Sequence, residues 1–255
     1  YAKLKDLERG LRDEYGKRLH TAMLSLTASS TDADGRPLPP VDHLDGLLAS
    51  WDAVRRELSR CLDGSRWEYL AILEPHPGDG PNHGYLHMHI AVFVDGVVTQ
   101  SDLEPVIEAH VRNCELAESA AHDPDDDGTI SINRVGLDRK ELHAAAEGIE
   151  IANASIGNLG TYLAEYLGTY GDDPLDAPQH QQMSNAVLWA TGRQRWRPSQ
   201  GAQSYMAYDG ASDPDDGDSP WEVAGVVSGT EYHPVEGEAS GGVDRFTTGP
   251  AGPPD

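Results

Sequence analysis

Gly84-Tyr-Leu-His-Met-His-Ile-Ala-Val-Phe-Val94 is the stretch on which the fold of this chain turns. Side chains on a strand alternate between its two faces. As a strand, the segment lines up Leu86, Met88, Ile90, Val92 and Val94 in an unbroken apolar row. Tyr85, His87, His89, Ala91 and Phe93 take the other side. Two imidazoles one strand step apart then point the same way from a rigid support, as two metal ligands must. Imidazole is a common ligand for Mn, Zn, Fe and Cu.

The residues just before it extend this reading. Arg66–Leu73 (RWEYLAIL) is apolar on both faces, as a central strand is, and Glu74 ends it. The span Glu74–Gly84 has the length and composition of a hairpin-like connection. If the two strands pair, Glu74 brings a carboxylate beside His87 and His89. A His₂-carboxylate set leaves coordination positions open for water and a phosphate oxygen, as a catalytic metal requires. His76 and His83 lie in the connection and read as solvated loop residues, or as a replacement third ligand. A histidine-triad nucleotide hydrolase needs a third imidazole where Ala91 stands, and a cupin needs glycine where Pro81 stands.

Farther out, apolar spacing predicts helices over 3–19, 42–62, 103–117 and 156–170, with a shorter one over 138–147. Strands are predicted over 20–28 and 129–135, a further one over 149–154, and one or two over 193–207. Strands and helices mix without regular alternation, which favours an α+β fold with a central antiparallel sheet flanked by helices. The apolar residues belong to one globular domain, 1–208. From Asp209 to Asp255 there are eleven acids against Arg245 alone. That composition predicts a mostly disordered acidic tail, with Trp221 and Val223–Val227 as its one apolar segment.

The whole chain carries a formal net charge of −24, from 43 acids and 19 bases. Only four of those bases are lysines: Lys3, Lys5, Lys17 and Lys140. Such acidity ordinarily opposes nucleic-acid binding. It also resembles proteins of salt-saturated cytoplasms, where screening falls to about 3 Å at ~1 M salt and local contacts decide binding. Cys61 and Cys114 fall on apolar helical stripes and read as free thiols. No apolar run approaches a membrane span and no signal peptide is evident, which predicts a soluble, cytoplasmic protein without membrane contact. Because it opens on Tyr1 rather than Met, the sequence reads as part of something longer. Asp123–Ser131 imitates the start of an EF-hand loop, but the twelfth place is Arg134 instead of a bidentate Glu, so an acidic turn is expected.

The predicted helix 156–170, IGNLGTYLAEYLGTY, carries Tyr162, Tyr166 and Tyr170 on one side. LSLT (Leu24–Thr27), HMH (His87–His89) and YLAEY (Tyr162–Tyr166), in that order, resemble the three motifs of HUH endonucleases of the rolling-circle replication initiator class. The pair of tyrosines resembles the two-tyrosine branch, and Leu188–Ala202 is similar to segments of haloarchaeal plasmid and virus initiators. The resemblance spans roughly residues 20–205 and implies a ferredoxin-like, palm-like nuclease sheet. It implies that His87, His89 and Glu74 hold Mn²⁺ or Mg²⁺ against single-stranded origin DNA. Tyr162 would form a 5′-phosphotyrosine and free a 3′-OH, Tyr166 would act in the second transfer, and a host helicase and polymerase would be partners. Where the two-tyrosine branch has lysine before the second tyrosine, this chain has Glu165.

Arg193, Arg195 and Arg197 alternate with Gln194 and Trp196. On a strand they would form a strip for a DNA backbone, with Trp196 or Trp189 to stack a base; a salt-bridged strand edge is the structural alternative. Arg55, Arg56 and Arg60 read as the polar side of their helix. Other functions compatible with these residues are a two-tyrosine HUH transposase, a catalytically inactive origin-binding module, and a metal hydrolase of small phosphoesters.

Overall fold

The computed structural model describes residues 2–77, 80–124, 128–134, 177–206, 225–228 and 231–234. The chain divides into two units, Tyr1–Tyr208 and Asp209–Asp255. In the first, a sheet is built from β1 (Leu19–Leu26), β2 (Trp67–Pro75), β3 (Leu86–Asp95), β4 (Ile130–Arg134) and β5 (Trp196–Pro198). The order is β4-β1-β3-β2-β5 with every neighbouring pair antiparallel. With helices on both faces, this is an α+β fold.

β3 is central because both of its rows are apolar enough to be covered. Leu86, Met88, Ile90, Val92 and Val94 join the larger core. It lies beneath α2 (Pro40–Ala49), α3 (Trp51–Cys61), α4 (Gln100–Asn113) and α5 (Gln179–Thr191). Ala91 and Phe93 face the smaller core, closed by α1 (Ala2–Tyr15) and α6 (Gln200–Tyr205). On α1, Leu4, Leu7 and Leu11 are at most 1% exposed, and burial of each contributes roughly 1.5–3 kcal/mol.

Several boundaries differ from the sequence reading. The predicted helix 42–62 is two helices, interrupted at Ser50. The Ser50 hydroxyl lies 2.7 Å from His110 Nδ1 and 3.2 Å from the Leu47 carbonyl, and such back-bonding bends helices. α4 starts three residues before the predicted Leu103. Thr99 and Asp102 form a capping box there, a signal that apolar spacing does not register. The chain over 193–207 is a three-residue strand followed by a helix. Ser199 caps that helix by accepting from the Ala202 N–H, and Glu68 reaches the same N–H.

α5 was not foreseen, because its inward stripe is largely polar. The buried positions are Gln181, Ser184 and Leu188. The Asp123 turn leads, from Ile130, into strand β4 rather than a second helix. Both cysteines are free, Cys114 buried and Cys61 half-buried. The elements expected over 138–147, 149–154 and 156–170 lie outside the described residues. No helix among the described residues is long and apolar enough to cross a membrane. In the second unit, β6 (Gly225–Ser228) and β7 (Glu231–Pro234) form an antiparallel pair.

Candidate metal centre

Residues paired directly across an antiparallel ladder share a face. β2 and β3 pair with Glu74 opposite His87 and Ile72 opposite His89. Glu74, His87 and His89 therefore meet on the face that carries α1 and α6. His87 Nε2 and His89 Nε2 are 2.8 Å apart. Glu74 Oε2 lies 3.6 Å from the first and 3.1 Å from the second. Of the His, Cys, Asp and Glu side chains among the described residues, these form the one group of three with donor atoms close enough to hold an ion.

The spacing suits a shared cation. With bonds of ~2.1 Å, neighbouring ligand atoms sit about 3.0 Å apart in an octahedral shell and about 3.4 Å apart in a tetrahedral one. The three observed separations bracket these values. One further feature agrees with ligation through Nε2. His89 Nδ1 lies 3.1 Å from Ser25 Oγ, a support that orients a ligating imidazole. His87 Nδ1 is buried and has no hydrogen-bond partner among the described residues.

The electrostatics hold the Glu74 carboxylate charged and favour the neutral form of His87. Burial opposes ionisation of Glu74, but hydrogen bonds from His87 and His89 outweigh it and bring its pKa down to about 2. Burial lowers the pKa of His87, against the pull of Glu74. Neutral imidazole and ionised carboxylate are the states that bind metal.

Ser25 belongs to the LSLT stretch, and Thr27 of the same stretch is also engaged. Its carbonyl accepts from His110 Nε2 at 2.9 Å, and its N–H donates to His122 Nε2 at 3.0 Å. His43 Nε2 donates to the next carbonyl, Ala28, at 3.2 Å. Three buried histidines from separate segments thus hold the exit of β1. The sequence reading did not single out Ser25, His43, His110 or His122; the β1–β3 register that sets Ser25 opposite His89 is a non-local fact.

His76 also departs from expectation. It continues the β2–β3 ladder through Tyr85 and Gly84. Its ring packs on His87 at 4.2 Å between centroids, so it is half-buried rather than a solvated loop residue. Burial and the neighbouring histidines bring its pKa down to about 4. His83 packs edge-to-face against His180 at 5.7 Å.

The arginine strip is divided. Arg193 follows the end of α5, pairs with Asp45 at 2.9 Å and is not in β5. Arg197 is opposite Ala71, and the Leu73 N–H donates to the Arg195 carbonyl. Arg195 and Arg197 thus lie on the larger-core face, away from the histidines. Arg195 reaches back to α5, donating to Asn185 Oδ1, Gln181 Oε1 and Ser184 Oγ at 2.5, 3.3 and 3.4 Å. Trp196, opposite Ile72, is on the histidine face, where Lys3 Nζ sits 5.8 Å from its ring centroid. Tyr162 and Tyr166, the proposed nucleophiles, lie outside the described residues, as does Tyr170.

Comparison with known proteins points to one lineage. The family described as "Putative rep protein (DUF1424)" matches residues 1–240. An "Uncharacterized 36 kDa protein" of Halobacterium salinarum is 46% identical over 231 residues, covering 89% of this chain and 68% of that protein. A protein of the same description from Halobacterium sp. (strain GN101) is 45% identical over 235 residues, covering 89% and 67%. "Uncharacterized protein 1" of Halorubrum pleomorphic virus 1 is 25% identical over 173 residues, covering 62% of this chain and 32% of that protein. No solved structure matches the chain.

Proposed function

Since the chain belongs to the family described as "Putative rep protein", we propose that it initiates replication by nicking one strand of origin DNA through a tyrosine nucleophile. The observation that carries this reading is the convergence of Glu74, His87 and His89 on one sheet face within a family of that description. A plasmid or viral replicon of a haloarchaeon is the natural setting, given the organisms of the relatives.

His87 Nε2, His89 Nε2 and Glu74 Oε2 would hold Mn²⁺ or Mg²⁺, and such an ion supplies Lewis-acid polarisation of a phosphoryl oxygen. The other parts fall to the chain. Ser25 orients His89, and β3, paired on both edges, keeps the two imidazoles in place. Tyr162 attacks phosphorus in line: the new bond is Tyr162 Oη–P, the broken bond is P–O3′, and the leaving 3′ oxygen takes a proton. Phenol has a pKa near 10, so only ~0.1% is phenolate at neutral pH and the attack depends on deprotonation in the site. Tyr166 acts in the second transfer, which rejoins the strand. Phosphodiester energy is conserved throughout, so no nucleotide cofactor is required.

The test is a labelled single-stranded origin oligonucleotide incubated with the protein and Mn²⁺ in molar KCl, then resolved on a denaturing gel. A covalent protein–DNA band is expected, absent in Tyr162→Phe and in His89→Ala. Glu165, beside Tyr166, favours one second reading, an origin-binding module without chemistry. Binding with no covalent band would establish that and refute nicking. A two-tyrosine transposase would give the same adduct and differ in cutting transposon ends rather than an origin.

A further inference from the structure

On the sheet face away from Glu74, His87 and His89, a surface has features that an acid-rich chain is not expected to leave standing. Trp189, near the end of α5, is 88% exposed. Arg193 follows it past the helix end, its N–H bonded to the Leu188 carbonyl and its guanidinium paired with Asp45. Arg197 on β5 pairs with Ala71, two residues along β2 from Tyr69 on the same face, and the Arg193 guanidinium acts on its charge. Tyr69 in turn stacks on Trp67, 6.1 Å between centroids with planes 28° apart.

Arg197 is the telling member. It is half-buried, and no carboxylate or hydrogen-bond partner reaches it among the described residues. Burying a cation without a partner is unfavourable, and placing a second guanidinium beside it adds repulsion. An anionic ligand removes both costs. Exposed or half-exposed aromatic rings beside arginines are how proteins hold single strands: bases stack on the rings and phosphates meet the cations. Stacking also keeps its strength in high salt, where phosphate contacts weaken steeply.

We propose that Trp189, Arg193, Arg197, Tyr69 and Trp67 form a second contact surface for single-stranded nucleic acid, distinct from the metal centre and on the opposite face of the sheet. It rests on the reading that the chain handles single-stranded DNA, but not on the nicking chemistry. A strand engaged at both places passes around the β5 edge, which positions the DNA flanking the scissile phosphate without contributing to the reaction.

The experiment is a fluorescence-anisotropy titration of a labelled oligothymidylate with the full chain in molar KCl. Variants are Trp189→Ala, Arg197→Gln, and Val97→Ala as a control at an 80% exposed position elsewhere. Losing one base–aromatic stack is expected to weaken binding about 5- to 150-fold in Trp189→Ala. Arg197→Gln is expected to weaken it and flatten its salt dependence, with Val97→Ala unchanged. Circular dichroism of Arg197→Gln guards against misfolding, and Trp189→Ala, an exposed change, decides the matter alone if Arg197→Gln fails to fold. Binding within twofold of wild type in Trp189→Ala overturns the proposal, as does a wild-type protein that does not bind. So does a wild-type dimer, seen by sedimentation, that Trp189→Ala converts to monomer, since the patch then serves a second copy. Patch-dependent binding without a covalent adduct would refute nicking and leave this surface standing. An adduct with patch-independent binding would do the reverse.

Discussion

If Glu74, His87 and His89 share a cation, metal must stabilise the fold, and the size of the effect can be worked out. A ligand that binds only the folded state at one hundred times its Kd contributes about 2.7 kcal/mol. A domain the size of the first unit gains about 2–4 °C in Tm per kcal/mol, so Mn²⁺ added to chelator-treated protein should raise Tm by about 5–10 °C. Ser25→Ala removes the 3.1 Å contact that orients His89. Loss of such a support weakens metal binding about 10–100-fold. At the same Mn²⁺ concentration the stabilisation falls to about 0.4–1.4 kcal/mol, and the shift to about 1–5 °C. His89→Ala, which deletes a donor, should leave almost no shift. Differential scanning fluorimetry in molar KCl, with and without Mn²⁺, reads all three proteins. A wild-type shift below about 1 °C refutes the site. An equal shift in His89→Ala also refutes it, since the metal is then held by the many surface carboxylates.

His110 makes stability depend on pH. Burial brings its pKa down to about 4, whereas in the unfolded chain it titrates near 6.5. Between those values the unfolded state binds more protons, so stability is complete above about pH 6.5 and declines as pH falls toward 4, by up to about 3 kcal/mol. Denaturant titrations at pH 7 and 4.5 should differ more in wild type than in His110→Leu; equal differences would show that His110 is not responsible. Gly10 on α1 lies against Tyr205 on α6, and a methyl group there would collide with the Tyr205 side chain. Gly10→Ala should cost about 1–3 kcal/mol, and an unchanged denaturation midpoint would place the two helices apart.

The sequence made the sheet and the meeting of Glu74, His87 and His89 legible for the same reason. Alternation along 84–94 is a local property, and it correctly placed His87 and His89 opposite the Leu86–Val94 row. Glu74 followed from the length of a single connection, and the ladder pairs it with His87. What escaped depends on partners remote in the chain. α5 shows little apolar periodicity because its inward face is made of polar groups suited to Arg195, on a strand reached only after the helix ends. The three arginines do not share one strand: their alternation needs five residues of strand, and β5 has three. The separation of Arg195 and Arg197 from the histidines by the thickness of the sheet depends on the β2–β5 register, which no local pattern encodes. The buried histidines at the exit of β1 were invisible for a related reason, since each is isolated in sequence and gains its role from a backbone group 15 to 95 positions away.

The position of β3 between two hydrogen-bonded neighbours has a consequence for how this chain can vary. A sheet counts in twos. Lengthening the 76–85 connection alters only the path between strands, whereas one residue inserted between His87 and His89 reverses the parity of one relative to the other. One imidazole would then enter the leucine-rich interior while the other stayed beside Glu74 or was parted from it. Length variation among functioning descendants should therefore gather in the connection and be absent from the ladder, leaving the spacing from His87 to His89 as fixed as the residues themselves.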